Sequence, residues 1–123
     1  LAGGANADAT GNDLANALFG NAARNTLLGG LGNDTLSGGA GKDVLIGGKG
    51  ADILIGGDDA DTFRFAASST GSDVINGFEV SQDRFDLSGG TFSAAVEIAG
   101  STRLSHSGGT ITVAGATGLA LSE

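Results

Sequence analysis

The chain has 123 residues, 24 of them Gly, and contains no Pro, Cys, Met, Trp or Tyr. Its formal net charge is −8, and most of its 14 acids are Asp. This composition excludes a disulfide framework, a thiolate zinc site and collagen, disfavours nucleic acid or an anionic membrane as a partner, and favours cations. No apolar run approaches membrane-spanning length, and the lack of any Met leads us to expect a piece of a longer protein.

The first segment reads as a weakened nine-residue repeat. Gly3-Gly4-Ala5-Asn6-Ala7-Asp8 resembles a frayed copy. Gly11–Phe19 (GNDLANALF) and Gly20–Leu28 (GNAARNTLL) keep the nine-residue length, the first Gly and an apolar eighth residue, Leu18 or Leu27. Their sixth residue is Asn16 or Asn25. Four consecutive units then fit the template Gly-Gly-x-Gly-x-Asp-x-apolar-x: Gly29–Ser37, Gly38–Ile46, Gly47–Ile55 and Gly56–Arg64. Asp34, Asp43, Asp52 and Asp61 recur at the sixth place, and Leu36, Leu45, Leu54 and Phe63 at the eighth.

The physics of one unit is legible. Clustered glycines let six residues turn sharply, and a three-residue strand such as Val44-Leu45-Ile46 follows with its middle side chain inward. Two units make one coil, with turns on opposite sides, and coils stack at the spacing of paired strands, roughly 4.8 Å. The expected architecture is an all-β solenoid. Alternate repeats then share a side, so Asp34 lies over Asp52 with Asn16 beneath, and Asp43 over Asp61 with Asn25 beneath.

Stacked carboxylates repel, and a bridging cation relieves them. Hard cations take six to eight oxygen ligands, from carboxylates and backbone carbonyls. One turn supplies half a shell, so an ion has to bridge two. The ligand set read from the repeats is Asp34, Asp43, Asp52 and Asp61 with the glycine loops Gly30, Gly32, Gly39, Gly41, Gly48, Gly50 and Gly57. Asp59 replaces the third Gly of the last unit and offers a further carboxylate. Asn16 and Asn25 are neutral, and sites that use them should be weaker or empty. Magnesium demands a tighter octahedron, and a single His makes no zinc or copper site.

After Arg64 the repeat ends. Asp73-Val74-Ile75, Phe85-Asp86-Leu87 and Val96-Glu97-Ile98 read as strands. Thr102–Ser107 and Thr110–Ala114 read as a hairpin turning at Gly108-Gly109, with Leu104 facing Val113 and His106 facing Ile111. The expected domains are a roll over 1–64, degenerate in 3–28 and strong in 29–64, and a β-rich cap over 65–123. Phe63, Phe65, Phe78, Phe85 and Phe92 should form an aromatic cluster there. Asp73, Asp83 and Asp86 read as turn residues or strand ends, and Asp8, Asp13 and Asp58 as solvated. Arg64 and Arg84 should pair with acids of the cap, the alternative being contact with an acidic polysaccharide.

Other chemistries find no support. There is no GxGxxG, HExxH or GxSxG motif, and Gly41-Lys42 is followed by Asp43 rather than Ser or Thr, which breaks a P-loop. His106 has no catalytic partner in view. Asn33-Asp34-Thr35 fits a glycosylation sequon, but the metal turn explains it better.

The units GGLGNDTLS, GGAGKDVLI and GGKGADILI resemble the RTX nonapeptide repeat of secreted bacterial proteins. Asp61–Phe65, Gly71–Ile75 and Gln82–Ser88 resemble the segment that follows such repeats in serralysin-type proteases and in the R-modules of mannuronan epimerases. The resemblance implies a parallel β-roll holding calcium between adjacent turns, about 3–5 ions here. It also implies a non-catalytic C-terminal module, exported by a type I secretion apparatus from a Gram-negative-type bacterium and folding in extracellular calcium. An N-terminal catalytic or adhesive domain would be attached. Two other functions stay open: binding an acidic polysaccharide such as alginate, and self-association as an adhesin or surface-layer segment.

Overall fold

The computed structural model describes residues 5, 6, 8–65, 71–79, 82–86, 96–98, 101–106 and 109–114, with backbone alone for 96–98 and 101–106. Among the described residues twelve strands follow one another: β1 (Ala9–Thr10), β2 (Ala17–Phe19), β3 (Thr26–Gly30), β4 (Thr35–Gly39), β5 (Val44–Gly48), β6 (Ile53–Gly57), β7 (Thr62–Arg64), β8 (Gly71–Asn76), β9 (Arg84–Asp86), β10 (Val96–Ile98), β11 (Ser101–His106) and β12 (Gly109–Val113).

Odd and even strands of the repeats separate into two sheets, parallel throughout except where β10, β11 and β12 pair antiparallel. One has the order β1-β3-β5-β7-β9, the other β10-β11-β12-β8-β6-β4-β2. Thr26 pairs with Val44 and Thr35 with Ile53, an offset of two repeats, as a coil of two nonapeptides requires. The architecture is therefore the expected parallel β-solenoid. Alternation along each strand puts the eighth repeat residue inside. Leu27, Leu36, Leu45, Leu54 and Phe63 form the resulting ladder, all at 0 % exposure, and Phe65, Ile75, Ile111 and Val113 extend it.

Three details differ from the sequence reading. The strands of the first three strong repeats run five residues rather than three, taking in the first two glycines of the next unit. Gly30 and Gly39 are themselves in register with Gly48 and Gly57. Glycine lacks a Cβ, so these backbones approach until the ladder closes. At Gly48 a Cβ would collide with the Gly30 carbonyl.

Both ladders also run past Arg64. β8 pairs in parallel with β6, β9 with β7, and β12 with β8. The last coils are longer, and the equivalent Asp comes after 21 and 22 residues rather than 18.

The third difference is in the hairpin. It pairs Thr102 with Val113, Leu104 with Ile111 and His106 with Gly109. Every cross-strand partner is therefore shifted by two from the expected register, and residues 107 and 108 lie outside the described residues. Parallel pairing of β12 with β8 from Gly109↔Gly71 onward enlists Gly109 as a strand residue, which removes it from the turn.

Among the aromatics, Phe78 stacks on Phe85 at 4.7 Å and 13°, and tilts against Phe63 at 5.8 Å. Phe92 and Leu87 lie outside the described residues. Arg64 pairs with Asp86 at 3.0 Å, as expected, whereas Arg84 Nε donates to the Thr62 hydroxyl at 3.0 Å.

Candidate metal centre

The turns fall into two columns, one on each side of the roll. Each Asp at the sixth place is held by the turn one coil behind it. In the first column Asn16 N–H donates to Asp34 Oδ1 at 2.8 Å, Asp34 N–H to Asp52 Oδ1 at 2.8 Å and Asp52 N–H to Asp73 Oδ1 at 2.9 Å. In the second, Asn25 N–H donates to Asp43 Oδ1 at 2.7 Å, Asp43 N–H to Asp61 Oδ1 at 2.9 Å and Asp61 N–H to Asp83 Oδ1 at 2.9 Å. The stacking expected from the period is present, and it continues through Asp73 and Asp83.

The second carboxylate oxygen tells more. Asp34, Asp43, Asp52, Asp61 and Asp73 are each 1 % exposed, and their Oδ2 atoms are buried without a hydrogen-bond partner. Leaving a buried polar atom unsatisfied costs about 1–3 kcal/mol, and more when it is charged. Five such atoms in two stacked columns are not packing accidents. The first Gly of each unit leaves the room they occupy. A Cβ at Gly29 would stand 2.5 Å from Asp34 Oδ2 and 2.6 Å from the Gly47 carbonyl oxygen. Gly38, Gly47 and Gly56 meet the Oδ2 of Asp43, Asp52 and Asp61 in the same way.

Burial also shifts the acids. It raises Asp43 and Asp52 above the usual carboxylate range, against the N–H bonds that lower them, with neighbouring carboxylates adding to the rise. Asp61 is pushed up to about 7, chiefly by burial and then by the charges of Asp83, Asp43 and Glu79. Asp73 also reaches about 7, again through burial first and the Asp52 charge among the rest. Two charges one strand spacing apart, ~4.8 Å, repel by roughly 3–4 kcal/mol at an effective dielectric constant near 20. The columns hold unbalanced negative charge that a cation would relieve.

The glycine loops fit this role. Gly30, Gly32, Gly39, Gly41, Gly48, Gly50 and Gly57 all have φ between +90° and +110°. That region belongs to glycine and stacks turn on turn: a Cβ at Gly41 would stand 2.7 Å from the Ala23 carbonyl oxygen. Asp59 takes the same left-handed turn at φ 71° without being Gly. Its Oδ2 reaches back to accept the Gly41 N–H at 3.0 Å, so the substitution preserves the turn and adds a charge near Asp43. No three Asp, Glu or His side chains converge on one point among the described residues. A donor set here therefore needs loop carbonyls beside one or two carboxylates, the mixture hard cations accept.

The outer turns are built differently. Asn16 and Asn25 lie beneath the Asp columns, but their amides are engaged with Asn12 and Asn21. Asp83 Oδ2 accepts the Glu79 N–H at 2.8 Å. Asp8 is exposed and bonds the Thr26 N–H, and Asp13 and Asp58 are exposed.

The RTX calcium-binding nonapeptide repeat matches in four copies, over residues 10–45 and 37–67. The AlgE6R3 subunit of the mannuronan C5-epimerase of Azotobacter vinelandii is 33% identical, with a TM-score of 0.71 over 86% of this chain and 74% of that one. The chain belongs to the RTX calcium-binding repeat family. The extracellular lipase LipA of Serratia marcescens is 28% identical with a TM-score of 0.74; the match covers 94% of the RTX chain and only 20% of the lipase. No curated protein sequence matches.

Asp73 and Asp83 were missed as column members because they lie beyond the regular period. The signal was present: each precedes an alternating apolar segment, Val74-Ile75 or Arg84-Phe85, as the repeat aspartates do.

Proposed function

We propose that this RTX chain is the non-catalytic, calcium-dependent C-terminal module of a secreted bacterial protein, folding after type I export and stabilising the protein attached to it. The observation that carries the reading is the file of five buried Oδ2 atoms without partners. Asp34, Asp43, Asp52 and Asp61 supply the charge, and the glycine loops from Gly30 to Gly57 supply carbonyls. About 3–5 calcium ions are expected. In calcium-poor cytosol the bare columns repel and oppose folding. At extracellular calcium, with site affinities of about 10⁻⁴–10⁻³ M, binding free energy becomes folding free energy. Circular dichroism during a calcium titration tests this, with magnesium as control. A β-roll spectrum that is complete in strong chelator sinks it.

A second reading is supported by a groove of about 380 Å³ beside the second column. Arg24, Lys42 and Arg84 line it, all exposed, together with Thr62, Gln82 and the buried column carboxylates Asp43 and Asp61. Arg64 is paired with Asp86 and contributes no free charge there. Three cations on one edge of an acidic domain suit an acidic polysaccharide, and a likeness to a mannuronan epimerase subunit makes alginate the first to try. Calorimetry with alginate in saturating calcium should show binding that Lys42→Ala and Arg84→Ala weaken. Heat no different from buffer dismisses it.

A further inference from the structure

The two Asn turns and the Asp turns share one backbone spiral, yet they satisfy their sixth residue in opposite ways. Asn16 Oδ1 accepts the Asn12 N–H at 2.7 Å, and Asn16 Nδ2 donates back to Asn12 Oδ1 at 3.0 Å. Asn25 repeats the pair with Asn21, at 2.8 and 3.0 Å. A backbone N–H meets oxygen and not an amide nitrogen, so each amide has one orientation. Asn12 and Asn21 Oδ1 also accept the N–H two residues on, from Leu14 and Ala23, closing an Asx turn. The amide oxygens of Asn16 and Asn25 stand where Asp34 Oδ2 stands one coil later, against the first Gly of the unit and the carbonyl of the Gly 18 residues on.

The residue four places earlier makes the difference. In the strong units it is Gly30, Gly39, Gly48 or Gly57, at φ +98° to +106°, and the carboxylate oxygen receives no N–H. Asn12 and Asn21 have ordinary φ, Asp59 being the one non-Gly at positive φ among the described residues. Their N–H groups aim at the side chain instead.

We propose that Asn12 and Asn21 determine which turns take calcium: they close the first two turns by hydrogen bonds, so that Asn16 and Asn25 are not ligands and the ion stack begins at the Asp34 and Asp43 turns. The inference rests on the calcium reading above and sharpens it. The backbone N–H of Asn12 or Asn21 does within one turn what a cation does between two, satisfying the side-chain oxygen at that end of the column without metal.

The test counts calcium ions on the calcium-saturated chain by native mass spectrometry, with circular dichroism checking that each variant is folded. Asn16→Ala and Asn25→Ala should keep the wild-type count, while Asp52→Ala should lose at least one ion. The double variant Asn12→Gly/Asn16→Asp should gain one ion, because it restores both the glycine turn and the bare carboxylate. A folded Asn16→Ala or Asn25→Ala that loses an ion overturns the inference and leaves the calcium reading standing. So does a folded Asn12→Gly/Asn16→Asp with an unchanged count. A wild-type chain that binds no calcium removes both.

Discussion

The turns of residues 11–28 and those of residues 29–64 wind the same coil in the same register, but they balance it differently. In the first group Asn pairs with Asn inside a turn, and both amides are spent. In the second a buried Asp keeps one oxygen bonded to the turn behind and the other bonded to nothing. Identical backbone topology therefore does not imply identical dependence on metal. Closure of a turn is a matter of where one N–H points, and that is set by whether the second residue is Asn or a left-handed Gly.

The most severe way to break the comparison is to remove the metal. Chelation should abolish most β signal by circular dichroism, and excess magnesium should not restore it. The loss should centre on residues 29–64, where hydrogen exchange ought to rise most.

Next in size is the core ladder under the Asp turns. Leu45 is fully buried, so Leu45→Ala should lower stability by about 2–5 kcal/mol in saturating calcium, read from denaturant midpoints. Leu18, partly buried beneath the Asn turns, should cost less when truncated.

Single carboxylates come third. Asp34→Ala, Asp43→Ala and Asp52→Ala should each move the calcium midpoint of folding to higher concentration. Asp8→Ala, at an exposed position, should leave it in place. An equal shift in all four would mean general charge rather than turn geometry controls folding.

Acid gives a smaller and opposite handle. Burial holds protons on Asp61 and Asp73 up to about 7, against 3.8 for the free group. A raised folded pKa means the folded state binds protons more tightly than the unfolded one. The stability from this source is full below about 4 and is lost as pH rises through about 7. In chelator, order should therefore increase as pH falls from 8 to 5, while the calcium midpoint should rise because protons compete for the same oxygens. The smallest effect belongs to Arg64→Ala. Its ion pair with Asp86 is solvent-exposed, so the loss should be under about 1 kcal/mol.

Much of this was legible from period alone. A nine-residue repeat with one Asp and one apolar residue in phase dictates two-unit coils, a leucine ladder and stacked acids, and Asp34 over Asp52 follows by counting. Asp73 and Asp83 escaped because counting fails once coils lengthen to 21 and 22 residues. The hairpin register escaped for a related reason. Two adjacent glycines announce a turn, but Gly109 pairs with Gly71 of β8 as a strand residue.

The amino-acid sequence by itself determined the spiral, its inward side chains and the place of each repeat carboxylate, since all three are consequences of local glycine freedom and strand alternation. Only the tertiary structure decided which oxygens go unpartnered, which cations meet along one edge, and how far the ladders continue. Those depend on distances between residues a full coil or more apart, set by how coils settle on one another.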